Sequence, residues 1–334
     1  MTAVDKPSSA VVEMKPDWDL VAALLGGTRA MRAAGDFYMP KWPAETSEAY
    51  EKRLKTATLF PAFYRTIVEL VGKPFGKPIT VGEDVPPALQ EWLPNIDLEG
   101  RNIDVFAAGV LQHALGYGLA GILIDYPTKK EPGTLTVADE KAKGLRPYWV
   151  HIRPHQILGW RAQRVDGNWV LAQLRLMESV SEPDGDFGEK TVQQVRVLEP
   201  GRWATYRKKM NITAGKEEFM PHDNDVTSLK YVPFVPVYGG RTGFLTARPP
   251  LIEMAYMNVK HFQSESDQQT ILHVARVPIL TIVGVDDDAW KLEVGAAQAV
   301  KLPVGASMSY VEHTGKAIDA GRLSLQDLEE SMRQ

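Results

Sequence analysis

The stretch PPLIEMAYMNVKHFQSESDQQTILHVAR, residues 249–276, decides how the rest of the chain is read. Leu251, Met254, Ala255, Asn258 and Phe262 recur at helical intervals and make one apolar stripe. Eight polar residues then follow in a row, Gln263 to Thr270. A helix that is polar all round is not a core helix. The expectation is a long helix that is either a solvated spoke or is covered by wet, polar contacts with another chain. Six ionisable residues mark it: Lys260, His261, Glu265, Asp267, His273 and Arg276. His261 and Glu265 stand four apart and can pair on one face. These six are the candidate channel or subunit-interface residues, and a solvated face explains them equally well.

Downstream, Val277–Val283 and Ser307–Val311 read as strands and Asp286–Val294 as a short helix, so residues 278–314 form a small αβ module. The triplet Asp286-Asp287-Asp288 precedes that helix, where carboxylates cap and meet the positive end of the dipole. A cation site needs more oxygen ligands than a local triplet supplies. The last helix is predicted to begin at Ser324, with Ser324 and Asp327 as a capping box and Leu325, Leu328 and Met332 on one side. The pattern runs into Gln334 without a stop signal, so the expectation is a chain short of its natural length.

Upstream, Arg146 to Tyr238 alternates with period two and reads as antiparallel sheet with one wet face. Asp166-Gly167-Asn168 predicts a hairpin between Gln156–Gln163 and Trp169–Met177. Pro200-Gly201 predicts a second turn, and Pro183–Lys190 reads as a loop. Before the sheet, Ile103 to Gly116 predicts an amphipathic helix and residues 121–126 a buried strand. Its apolar run is no membrane span, because glycines, Gln112 and His113 interrupt it and no basic cluster flanks it. Residues 18–33 predict a first helix. Thr46 or Ser47 caps another, with Pro61 kinking or restarting it and Gly72 with Pro74 ending it. Residues 1–17 read as a loose tail, without the apolar core of a secretory signal. The fold class is α+β.

Composition narrows the chemistry. The 334 residues carry 38 Lys+Arg and 42 Asp+Glu, a formal charge of −4, and 44% apolar residues. That supports a sizeable core and argues against a tight nucleic-acid binder, which needs a basic surplus. No cysteine is present, which excludes disulfides, thiol catalysis and Cys-ligated zinc. His151 and His155 stand four apart, but no third ligand stands at metal spacing, so a structural role outweighs a metal one. Gly239-Gly240-Arg241-Thr242-Gly243 lacks the Lys-Ser/Thr close of a phosphate loop. No nucleophile elbow or zinc-protease motif occurs. The expectation is a protein that is not an enzyme and needs no cofactor or metal. The rival from another class is a metal-dependent hydrolase using His151, His155 and the Asp286–Asp288 run.

Several segments share an order. YMPKWP (38–43), YEKRLK (50–55), VGKPFGKPI (71–79) and PYWVHIRPHQILGW (147–160) precede the 249–280 stretch, and YVEHTGKAI (310–318) and Leu325–Met332 follow it. In this order the chain resembles the portal proteins of tailed bacteriophages, over about residues 18–334. The resemblance implies a portal-like architecture. Residues 18–248 would be a helical and antiparallel-sheet wing, 249–276 the first stem helix, 278–314 a small αβ clip, and 315–334 the start of a second stem helix, with the remainder and the crown absent. It implies a homo-oligomeric ring, typically a dodecamer, at one capsid vertex, assembled in the host bacterial cytoplasm and found in the virion. Double-stranded DNA would pass through it non-specifically during packaging and ejection. Partners would be the terminase large subunit, a head–tail adaptor and the major capsid or scaffolding protein, with no membrane. The alternative within the same class is a head–tail adaptor or another phage structural protein.

Overall fold

The computed structural model describes residues 3–127, 139, 143–211, 215–276, 279–284, 304–311 and 316–333. The helices are α1 (Ser9–Leu25), α2 (Gly27–Ala34), α3 (Ser47–Thr56), α4 (Ala62–Gly72), α5 (Pro87–Gln90), α6 (Ile103–Tyr117), α7 (Ile252–Ala275) and α8 (Lys316–Arg333). The strands pair antiparallel throughout the described residues, so the chain is of the α+β class. Two compact units form, neither continuous in sequence: Met1–Leu25 with Phe63–Ala255, and Gly26–Ala62 with Tyr256–Gln334.

In the first unit, α1 buries Val11, Met14, Trp18, Val21 and Leu24. Those intervals of three and four make one stripe. This corrects the loose tail expected through residue 17: Val11 and Met14 continue the stripe of Trp18, so burial extends the helix back to Ser9. The predicted 18–33 helix is in fact broken, because Gly27 takes φ +70°. That left-handed turn ends one helical run and opens α2.

The helix predicted from Ile103 is α6. Asn102 caps it, accepting from the Val105 N–H at 2.9 Å. Gly118, at φ +83°, closes it and donates to the Ala114 carbonyl at 2.8 Å. A Cβ at Gly118 would stand 2.6 Å from the Arg248 carbonyl, so glycine is demanded there by packing as well as by φ. β1 (Leu119–Asp125) follows at once as the centre of a three-stranded sheet, between β2 (Tyr148–Ile152) and β8 (Phe234–Tyr238). Phe106, Val110 and Ala114 of α6 pack with Ile96 and Ala120 into one core cluster.

The period-two block is a five-stranded meander of β3 (Ile157–Val165), β4 (Asn168–Asp184), β5 (Gly188–Glu199), β6 (Arg202–Asn211) and β7 (Lys216–Val226). The predicted first hairpin is present: Asp166 and Gly167 both take positive φ and join Val165 to its partner Asn168. The Pro200-Gly201 turn is present too, with Glu199 paired to Arg202. The Pro183–Lys190 loop is shorter than predicted. Pairing runs on through Glu182–Lys190, Pro183–Glu189 and Asp184–Gly188, leaving Gly185, Asp186 and Phe187 at the tip. Leu174, Leu176 and Val195 face inward and are fully buried, while β7 is mostly exposed. The glycine-rich loop before β9 (Arg241–Gly243) and β10 (Thr246–Ala247) is explained by close packing. A Cβ on Gly239 would lie 2.1 Å from the Ala114 carbonyl.

In the second unit, Thr46 caps α3 through Ala49 N–H at 3.2 Å. The helix stops at Thr56; the chain restarts just after Pro61 as α4, which belongs to the first unit from Phe63 on. β11 (Ile279–Val283) pairs with β12 (Ser307–Val311) from Ile279–Val311 through Val283–Ser307. α8 begins at Lys316, so Ser324 and Asp327 lie inside it and the predicted capping box does not form there. The predicted 286–294 helix and the Asp286–Asp288 triplet lie outside the described residues.

Candidate functional site

The second unit is organised by α7, which belongs to it from Tyr256 on; the helix has 24 residues and runs about 36 Å at 1.5 Å per residue. Its inward polar side chains are tied to backbone carbonyls. Asn258 Nδ2 donates to Phe60 O at 2.9 Å, Gln263 Nε2 to Tyr38 O at 3.0 Å, and Gln268 Nε2 to Ile318 O at 2.9 Å. Asn258, His261, Phe262, Ser266 and Gln268 are buried. This corrects the expectation that Gln263–Thr270 is solvated or covered by another chain: part of it is buried within its own unit. The reason is chemical. Amide side chains reach carbonyls at the joints near residues 38, 60 and 318, and each bond removes the cost of burying two polar groups.

α8 runs antiparallel beside α7. Gln268 meets Ile318 near the start of α8, and His261 meets Glu329 near its end, Nε2 to Oε1 at 3.4 Å. The close fit uses Gly321, where a Cβ would meet Gln268 Oε1 at 2.0 Å. The result is a helix, a strand pair and a returning helix.

The six sequence candidates separate on this scaffold. His261 is buried, with its ring 5.3 Å from Phe60 and no hydrogen bond at either nitrogen among the described residues. The carboxylate beside it is that of Glu329, not that of Glu265. Glu265 accepts instead from Gln269 Nε2 at 2.8 Å. Lys260, His273 and Arg276 are exposed. Asp267 is half exposed and stands 3.9 Å from Arg53. Burial, with Glu45 adding to it, raises the Asp267 carboxyl against the opposing pull of Arg53. Tyr256, Lys260, Ser264, Asp267 and Ile271 follow the helical interval and form the outward, mixed face of α7.

Arg53 is the centre of a knot that no motif announced. Its Nε and Nη2 donate to the two Glu45 oxygens, each at 2.8 Å, and Nη2 also to Pro40 O at 2.9 Å. The guanidinium lies 4.3 Å over the Trp42 ring. The hydrogen bond from Arg53 holds the Glu45 carboxyl below its usual range. Arg53 and Glu45 are eight residues apart, outside any helical pairing rule, and so invisible to spacing.

The first unit holds a polar cleft of about 500 Å³ where β1 meets β4 to β7. Arg196 grips Asp125 through two bonds, at 2.6 and 2.8 Å, and Glu178 stands 3.6 Å away. Burial pushes Asp125 up, but the Arg196 bonds outweigh it and hold the carboxyl low. Burial, with the Asp125 charge, pushes the Tyr148 phenol up to about 12. The cations of this cleft are each paired: Arg207 with Glu182 at 2.6 Å, and Arg202 with Glu199.

His151 and His155 go to different company. His151 meets His113 edge-on at 4.7 Å, and burial first, then His113, lowers it to about 3. His155 sits on Asp19 at 3.2 Å, between Trp18 and Tyr117. Among the described residues, no three His, Asp or Glu are grouped to hold a metal ion. No described helix is long and apolar enough to cross a membrane.

Residues 250–334 match a family model described as a domain of unknown function, DUF4055. No curated protein matches the chain. The matched segment, about a quarter of the chain, takes in α7, β11, β12 and α8, the same helix–strand pair–helix module whose polar packing is set out above.

Proposed function

We propose that this chain is a portal subunit of a tailed bacteriophage. It joins copies of itself in a ring at a capsid vertex, passes double-stranded DNA in and out, and docks the terminase and a head–tail adaptor. The reading gives α7 the part of first stem helix, 278–314 that of clip, α8 that of second stem helix and 18–248 that of wing. The ring is assembled in the host cytoplasm and resides in the virion. It has no catalysis of its own.

The observation that carries the reading is the antiparallel α7–α8 pair joined through β11 and β12, at the place where the sequence order resembles portal stems. Two further features support it. The outward face of α7 mixes Tyr256, Lys260, Asp267 and Ile271, which suits a wet lateral contact with the same helix of a neighbour. The net charge of −4, repeated in every copy, suits a conduit that DNA slides through rather than one that grips it. Negative-stain images of the purified protein are expected to show rings with a central hole, and light scattering a mass of many subunits. A strictly monomeric species at high concentration refutes the proposal.

A further inference from the structure

Two exposed features stand at opposite ends of β4. At one end is an apolar depression of about 260 Å³, lined by Trp169, Leu171, Tyr231, Phe234, Phe244 and Leu245. Trp169 is 54% exposed and Tyr231 59%. At the other end is the tip of the β4–β5 hairpin, where the side chain of Phe187 is fully exposed at 102%. A free aromatic ring on a hairpin tip gains nothing for its own fold. The depression is smaller than the ~300–1,000 Å³ of sites that take cofactor-sized ligands, and it is of the scale of one aromatic side chain.

The charges around the two features are opposite. The tip carries Asp184, Asp186 and Glu189 against Lys190, all exposed. The rim of the depression carries Arg164, whose guanidinium lies 5.1 Å over the Trp169 ring. It also carries Lys230 beside Tyr231, and Arg241, 5.0 Å over the ring of Tyr238. Tyr238 accepts the Leu245 N–H at 3.0 Å, which ties that arginine to the same wall. Asp166, in the hairpin turn that joins Arg164's strand to Trp169's, is exposed.

Phe187 cannot fill its own depression. Trp169 and Asp184 are fifteen residues apart along one strand, a run of about 50 Å at ~3.3 Å per residue.

We infer that the Phe187 hairpin tip of one copy docks into the Trp169–Phe244 depression of the next copy. A knob and a socket on different faces of one chain make a head-to-tail contact, and such contacts close into rings when the rotation allows. The inference rests on the ring proposal and names two of the surfaces that join.

The chain has no cysteine, which makes a clean cross-link possible. Asp186→Cys at the tip and Lys230→Cys on the rim are introduced together in the full chain, leaving Phe187 and the depression intact, and oxidised. A denaturing, non-reducing gel is expected to show a ladder of dimer, trimer and higher species, while each single variant stops at dimer. Both positions are exposed, so melting temperature is expected to stay unchanged. In sedimentation, Phe187→Ala is expected to weaken self-association about tenfold or more. If the double variant shows nothing beyond dimer while the native chain still assembles, this contact is overturned and the ring proposal stands. A native chain that stays monomeric in the same buffer overturns both.

Discussion

Replacing Arg53 by Met tests whether the second unit is held by its buried charge knot. The side chains of Arg53 and Glu45 are each only 4% exposed. Arg53→Met leaves the Glu45 carboxylate covered without a cation and removes the donor from the Pro40 carbonyl. Breaking a buried pair from one side costs ~3–5 kcal/mol. The lower end applies here, because half-exposed Asp267, 3.9 Å away, brings water close to the guanidinium. The expected loss is therefore about 3 kcal/mol. Glu45→Leu leaves Arg53 with Pro40 O and the Trp42 face, and about 2 kcal/mol is expected. The double variant removes both charges and is expected to lose well under the sum, with a coupling of about 2 kcal/mol. A chain of two units need not unfold in one step. Hydrogen exchange read on peptides from α3 and α7 isolates the unit concerned. The pH dependence has a definite sign. Glu45 is held below its usual pKa, so its contribution is full above the ordinary carboxylate range and drains as pH falls through the lowered value. Single variants that add within about 0.5 kcal/mol, or an Arg53→Met chain as stable as the native one, refute the reasoning.

Two more outcomes are expected. His151 titrates near 3 in the folded chain, against about 6.5 when unfolded, so the unfolded state takes up the proton first and stability falls as pH drops from about 6.5 toward 3. His151→Phe removes that uptake, and its acid-unfolding midpoint by circular dichroism is expected about half a pH unit lower; a midpoint unchanged or higher contradicts the assignment. Gln268→Leu strips the bond to the Ile318 carbonyl and is expected to cost about 1–2 kcal/mol. Limited proteolysis should then cut within α8 faster than in the native chain, and an unchanged cutting rate shows that the α7–α8 pairing does not depend on that bond.

Much of the fold was legible from local pattern. The helix from Ile103, the Asp166-Gly167 hairpin and the Pro200-Gly201 turn stand where their local signals put them. Local reading failed where a distant surface set the outcome. Residues 9–17 looked like a polar tail until Val11 and Met14 found the core. The 183–190 loop shortened because β4 and β5 went on pairing beyond their apolar residues. Ser324 lost its capping role because α8 starts eight residues earlier.

The site divides in the same way. The sequence by itself determined that 249–276 is a long helix with a polar middle, because helical period and side-chain polarity are properties of residues within four positions of one another. It could not determine where the polar groups go. His261 had Glu265 within reach on its own helix, yet packing with α8 placed Glu329 beside it. Arg196 took Asp125, 71 residues away, and Gln268 took a carbonyl 50 residues on. Those pairings depend on the path of the whole chain, and burial decides them, since a polar group withdrawn from water must find whichever partner the fold brings near.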